Sequence, residues 1–173
     1  MHSKMTTYFD NNVLPGQTYA HIDPVEMAAL QSLQSPPLSD RLLRVTSRHS
    51  TREQERVKDL SVRERLEKAR QDLSMVEKDH MVLGSATLED GHGGCICNPL
   101  VSDLVDESIF RVFQSEGLRS DDAQHLMYAV HNCCDRFVTL DKDFLGKRDR
   151  LEAHCRGMKI VKPSELVPEL ARR

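Results

Sequence analysis

No apolar run in this 173-residue chain approaches the roughly 18 residues that a membrane-spanning helix requires, and residues 1–4 are too polar for a secretory signal. Internal repeats and low-complexity segments are also missing. Neither sign of charge dominates: 24 Lys and Arg stand against 27 Asp and Glu, a net charge of −3. Domains held to nucleic acid by overall charge tend to be basic, which disfavours that class but allows an acidic pocket with a local basic rim. Disulfide potential is low as well. The five cysteines are odd in number, and Cys133 and Cys134 are adjacent, a poor geometry for a bridge. A reduced, cytoplasmic setting is expected. What is present is a chain of ordinary apolar content, long enough for one domain (residues 1–173) with a buried core.

Hydrophobic spacing and breakers predict alternating strands and helices. Residues 5–10 read as a first strand, followed by a turn at Pro15-Gly16. Asp23-Pro24 opens a helix to about residue 33, with Asp23 as N-cap and proline at the first helical position. Residues 42–45 read as a second strand, and a polar turn at 47–51 leads into a helical middle over about residues 52–79. Its helical pattern runs from Arg52 to Val76, divided near Leu60-Ser61, where Ser61 and Glu64 form a capping-box pattern. The apolar stripe Val62, Leu66, Ala69, Leu73 and Val76 predicts packing on one side only. Residues 83–100 are glycine-rich without a clear period and read as a long loop. Helices are predicted at 103–114, 121–132 and 147–156. Strands are predicted at 136–140 and 158–161, the last closed by Pro163. This alternation, with no strong hairpin signal, predicts an α/β fold with a short parallel sheet covered on both faces.

Three short stretches each carry an acidic residue where chemistry is expected: Thr7-Tyr-Phe-Asp10, Ser120-Asp-Asp122-Ala-Gln-His125 and Phe137-Val-Thr-Leu-Asp141-Lys-Asp143-Phe144. Asp10 and Asp141 end predicted strands, and Asp122 opens a helix with Ala123, Leu126, Met127 and Val130 at helical spacing. In open α/β sheets the carboxyl ends of strands form the ligand crevice, so these acids could meet in one pocket. Clustered carboxylates repel unless hard cations lie between them, and oxygen-bound Mg²⁺ or Mn²⁺ is the usual solution. The pattern points to a metal-dependent phosphodiesterase. Each acid also has a structural reading. Asp10 could be a turn residue, Asp122 a first-turn residue favouring the helix dipole, and Asp141 the cap of a helix starting at Asp143.

Asp122-Ala-Gln-His125-Leu-Met-Tyr-Ala129 with Asp135-Arg-Phe-Val-Thr139-Leu-Asp141-Lys-Asp143-Phe144-Leu resembles the C-terminal half of a PIN domain. Tyr8-Phe-Asp10-Asn-Asn-Val-Leu14 resembles that family's first strand. The resemblance implies a three-layer α/β/α sandwich and a Mg²⁺- or Mn²⁺-dependent ribonuclease acting on single-stranded RNA. Bacterial members are often toxins with an antitoxin protein as partner; monomer and homodimer both stay open. It implies catalytic roles for Asp10, Glu53, Asp122 and Asp141, and metal ligation by Asp10, Asp122 and Asp141 with Asp143 close by. Glu53, in Ser50-Thr-Arg-Glu53-Gln-Glu55, matches the family's fourth acid, with Glu55 as the alternative. Asn11 departs from the family's usual Thr or Ser, and the chain is longer than a typical PIN toxin.

Arg48, Arg52, Lys142, Lys147 and Arg148 flank these acids and are candidate phosphate contacts. His125 reads as a packed or locally bonded histidine. His92-Gly-Gly-Cys95-Ile-Cys97 lacks the second ligand pair of a structural zinc site, and Cys133 and Cys134 read as small apolar filler on a helix face. Two other functions remain: a PIN-like binding or regulatory module that cuts nothing, and a phosphatase-type enzyme. The latter class uses Asp-x-Asp after its first strand, where this chain has Asp10-Asn11-Asn12.

Overall fold

The computed structural model describes residues 4–14, 22–89 and 95–172, with side chains left aside at 82–89 and 95–101. The central sheet contains β1 (Met5–Phe9), β2 (Leu42–Thr46), β3 (Ser74–Met75), β6 (Arg136–Val138) and β7 (Lys159–Val161). Its order is β3-β2-β1-β6-β7, and every pairing is parallel. The second sheet is an antiparallel hairpin of β4 (Met81–Glu89) and β5 (Cys95–Ser102).

Period-two alternation sends the strand side chains to opposite faces. Tyr8, Val45, Phe137 and Ile160 enter one apolar cluster, shared with α4 (Glu107–Ser115), α5 (Ser120–His131), α6 (Lys142–Gly146) and α7 (Arg148–Glu152). Met5, Phe9, Leu42 and Val138 enter the other, beneath α1 (Pro24–Gln34), α3 (Leu60–Arg70) and α8 (Pro163–Ala171). Two helical layers around one parallel sheet make this a three-layer α/β/α sandwich. Successive strands step outward from β1 to β2 and β3, whereas β6 and β7 extend from β1's other edge. The strand order therefore reverses between β1 and β6, where such sheets open a crevice.

Several expected boundaries are corrected. The polar turn at 47–51 is the start of α2 (Arg48–Glu55), whose buried residues are His49, Ser50 and Gln54. A helix burying polar groups has no apolar stripe to reveal it. Asp59, rather than Ser61, caps α3, accepting from the Ser61 and Val62 amides. The helix ends at Arg70, so the expected stripe breaks: Leu66 packs in one cluster and Val76, beyond β3, in the other. Of the loop expected at 83–100, residues 90–94 lie outside the described residues, and residues 83–89 and 95–100 are instead strand, with a register shift between Val82 and Gly84. That irregularity disrupts the alternation expected of a strand. The helix expected at 103–114 begins only at Glu107, with Asp106 capping the Ile109 amide. The helix expected at 147–156 is the shorter α7, which ends at Glu152 and follows a separate short helix, α6. Pro163 does not simply close β7; it occupies the first turn of α8, where the Glu165 carboxylate accepts from the Lys162 amide at 2.8 Å. Cys133 is exposed at φ 53° just past α5, while Cys134 is buried, so only the latter serves as core filler. No helix among the described residues is long and apolar enough to cross a membrane.

Candidate functional site

A cavity of about 320 Å³ lies at the strand-order reversal, lined by Asp10, Asn11, Asn12, Glu53, Gln54, Val57, Leu66, Asp122, His125 and Asp141. Asp10 immediately follows β1, and its amide donates to Val138 O of β6 at 3.1 Å. This bond carries the β1–β6 pairing one residue past the strand and holds Asp10 beside the segment leading to Asp141. Glu53 comes from α2, and Asp122 and His125 from α5.

Asp10 is buried, 6 % exposed. Its Oδ1 accepts from the Asn11 amide at 2.8 Å, and its Oδ2 accepts from Thr139 Oγ1 at 2.8 Å. Burial raises its pKa, opposed by the charge of His125 and by those two bonds, while Glu53 adds to the rise. Asn12 ties the same corner together, its Nδ2 donating to Thr139 Oγ1 at 3.0 Å and its Oδ1 accepting from the Leu140 amide at 3.0 Å.

Glu53 has two firm partners. Asn11 Nδ2 donates to its Oε2, and His125 Nε2 lies 2.7 Å from the same oxygen. Burial alone would raise the Glu53 pKa, but the His125 bond and charge, with His49 and Asn11, bring it below its ordinary value. His125 is 2 % exposed. Burial opposes its charge, yet Tyr8, the Glu53 bond and the Asp10 carboxylate outweigh this and raise its pKa well above 6.5. The protonated ring then donates Nε2–H to Glu53 and Nδ1–H to Tyr8 Oη, 2.8 Å away, and Tyr8 reaches Ser47 Oγ at 2.7 Å. Gln54 Nε2 donates to Asn11 Oδ1 at 3.0 Å, closing the network. Asn11 thus joins Glu53 and Gln54, and a hydroxyl contact to Asp10 comes from Thr139 on the neighbouring segment.

Asp122 and Asp141 sit across the cavity with local partners. Arg119 Nε donates to Asp122 Oδ2 at 3.2 Å. Burial raises the Asp122 pKa and the Asp141 charge adds to it, while Arg119 acts against both. Asp141 caps α6, accepting from the Asp143 amide at 2.7 Å. The structural reading of Asp141 and its place on the cavity therefore hold together. Asp143 is exposed and lies outside the cavity lining, and Glu55 faces a separate surface depression with Arg63 and Arg70.

The expected basic rim is largely engaged elsewhere. Arg48 pairs with Asp79, Arg52 with Asp103 and Arg148 with Glu165, while Lys147 Nζ donates to Gly117 O. Lys142 is exposed beside Asp141. The exposed Arg119 guanidinium, bonded to Asp122, brings a cation to the site that sequence reasoning missed. His49, Tyr8 and Thr139 likewise join the site without having been singled out in the sequence, and Asn11, noted there only as a departure from the family pattern, proves to bond Glu53. The signal for Arg119 was its i,i+3 spacing from Asp122. The links from His125 to Tyr8 and Glu53 span 117 and 72 residues and have no local signal. His92 lies outside the described residues, so His92-Gly-Gly-Cys95-Ile-Cys97 receives no structural account.

Among the described residues, one set of three or more ligating groups has its atoms all within 4.8 Å of one another: His49, Glu53 and His125. Asp10, Asp122 and Asp141 line the same cavity but are not part of that set. No protein-family model, curated protein or solved structure gives a significant match to this chain.

Proposed function

We propose that this chain is a Mg²⁺- or Mn²⁺-dependent endoribonuclease that hydrolyses single-stranded RNA, the activity implied by its PIN-like residues. One observation carries the reading: Asp10, Glu53, Asp122 and Asp141, from four separate segments, line one cavity at the strand-order reversal. The donor set suits a hard cation. Asp10 is a buried carboxylate whose ionisation burial penalises, and a dication beside it relieves that penalty. Asp10, Asp122 and Asp141 would hold the ion, which would activate water and stabilise charge on the attacking and leaving oxygens. The chain's own residues do the positioning. Thr139 and the Asn11 amide orient Asp10; Asn11 and His125 fix Glu53 as an acceptor facing the cavity. Arg119 supplies a planar cation able to bind phosphate oxygens at the rim. A single strand suits such a site because its backbone can bend into the crevice and its bases can splay.

The bond between His125 and Glu53 favours a second reading. A carboxylate already paired with an imidazolium has less charge to offer a metal, as expected of a binding or regulatory module that cuts nothing. One experiment separates the two. Purified wild type and Asp10→Asn are incubated with labelled single-stranded RNA and DNA, with Mg²⁺, with Mn²⁺ and with chelator. The nuclease reading expects cleavage of RNA that needs metal and falls on the order of 10³-fold in Asp10→Asn, about 4 kcal/mol of barrier. RNA retained without cleavage supports the binding module. Cleavage that survives both chelator and Asp10→Asn removes the carboxylate mechanism.

A further inference from the structure

Two imidazoles meet beside Glu53 where α2 faces α5: His125, which lines the cavity, and His49, which lies behind that lining. His49 and Glu53 stand one turn apart on α2, at i and i+4, and so share a face. His125 comes across from α5, its ring 4.8 Å from that of His49 at 67°. One ligand atom from each of the three residues lies within 4.8 Å of the other two. We propose that His49, Glu53 and His125 form a Zn²⁺ site, separate in chemistry from the oxygen-only aspartates of the same cavity.

A second observation points to a missing ligand. The His49 side chain is 9 % exposed, and its Nε2 is buried without a hydrogen-bond partner. Glu53 Oε1 at 3.9 Å and Asp121 Oδ1 at 3.4 Å lie within ion-pairing range, but neither makes a hydrogen bond to it. An unsatisfied buried polar atom is destabilising, and a metal bond would remove that penalty. His125 is already oriented, because Nδ1 is held by Tyr8 Oη and Nε2 faces Glu53. A partner on the non-ligating nitrogen is the usual support of a metal-bound histidine.

The spacing fits. Tetrahedral zinc bonded to nitrogen and oxygen at about 2.1 Å places its ligand atoms about 3.4 Å apart. The Glu53 carboxylate reaches both rings, its Oε2 2.7 Å from His125 Nε2 and its Oε1 3.9 Å from His49 Nε2, one distance on each side of that value. Two imidazoles with one carboxylate select zinc-type ions over Mg²⁺, which prefers oxygen alone. On binding, Zn²⁺ takes the position of the His125 Nε2 proton, which passes to solvent.

The test uses the full chain stripped of metal and titrated with Zn²⁺, and with Co²⁺ as a visible probe, in the presence of millimolar Mg²⁺. One equivalent should bind, giving the intense visible band of four-coordinate Co²⁺ without a thiolate charge-transfer band. His49→Gln should weaken binding at least tenfold and remove the band; Asp10→Asn should keep both. Unchanged affinity in His49→Gln overturns the site, as does displacement of Co²⁺ by Mg²⁺. Should His49→Gln fail to fold, X-ray absorption of zinc-loaded wild type decides. A shell with two imidazoles and no sulfur supports the site, and an all-oxygen or sulfur-containing shell overturns it. The site stands or falls separately from the ribonuclease reading, because the Asp10→Asn assay does not report on His49.

Discussion

The two walls of the cavity hold their acids by different means. On the β1–α2 wall every strong partner but one is remote: Thr139 reaches Asp10 across 129 residues, His125 reaches Glu53 across 72, and Asn11 reaches Glu53 across 42. The exception is the Asn11 amide on Asp10. On the α5–α6 wall the partners are local, with Arg119 three residues from Asp122 and the Asp143 amide two from Asp141. The first wall is therefore part of the fold's buried polar core and exists only when the sheet and α5 have docked. The second is built by short-range helix geometry, which even a loosely packed α5 would retain. Changes on the first wall should unsettle the whole protein, and changes on the second should act mainly on the site.

The largest expected effect on stability comes from His125→Ala. It leaves Glu53 without its cation and Asp10 without a nearby positive charge, and breaking a buried ion pair from one side costs about 3–5 kcal/mol. Urea midpoints in chelator should fall accordingly, and a loss below about 1 kcal/mol would put His125 outside any charged pair. The pH dependence follows from the shifts. His125 has a raised folded pKa, so its contribution is fully present below about 6.5 and is lost as pH rises through the higher folded value. Glu53 has a lowered one, so its contribution is present above about 4.5 and is lost as pH falls through the folded value. The metal-free pair should stabilise most between those limits, with an alkaline decline that His125→Gln abolishes. Asp10 acts in the opposite sense to Glu53. Its raised folded pKa gives stability at low pH that disappears as the carboxylate ionises, so Asp10→Asn should melt a few degrees higher without metal.

The same division explains what could be read in the sequence. Asp10, Asp122 and Asp141 each end or open an element, and strand ends and helix starts are local patterns, so their shared cavity was legible. The parallel α/β fold was legible for the same reason: β1, β2, β6 and β7 carry apolar or β-branched residues between clear breakers. The start of α2 was hidden because its inward face is His49, Ser50 and Gln54 rather than an apolar stripe. The hairpin was hidden by the register shift between Val82 and Gly84. His125 read as packing because Tyr8 and Glu53, its reasons for being charged, lie far away in sequence.

Thr139→Val sharpens the comparison with a smaller change on the remote wall. The isostere keeps the buried shape but removes the hydroxyl that donates to Asp10 and receives bonds from Asn12 Nδ2 and the Asp141 amide. Leaving these groups unpaired costs about 1–3 kcal/mol, and the Asp10 pKa should rise further. Denaturant unfolding measures the first, and NMR titration of the carboxyl measures the second. An unchanged Asp10 titration would show that Thr139 does not set its charge.

The smallest stability effect is expected from Asp122→Asn. Its bonded partner, Arg119, is 75 % exposed at the side chain, and solvent-exposed ion pairs are worth about 0–1 kcal/mol. Burial and the Asp141 charge already work against ionised Asp122, so losing the charge removes a repulsion as well as an attraction. The two nearly cancel, and the melting temperature should move by no more than a few degrees. On the ribonuclease reading proposed above, metal-dependent RNA cleavage should nevertheless fall strongly, because the carboxylate leaves the cavity while the fold remains. Arg119→Ala is the matching control: it should hold the fold equally well and, on the same proposed reading, lose RNA affinity in a salt-dependent way. If Asp122→Asn unfolds the protein as readily as His125→Ala, the α5–α6 wall is no less a part of the core than the wall facing it, and the contrast between them disappears.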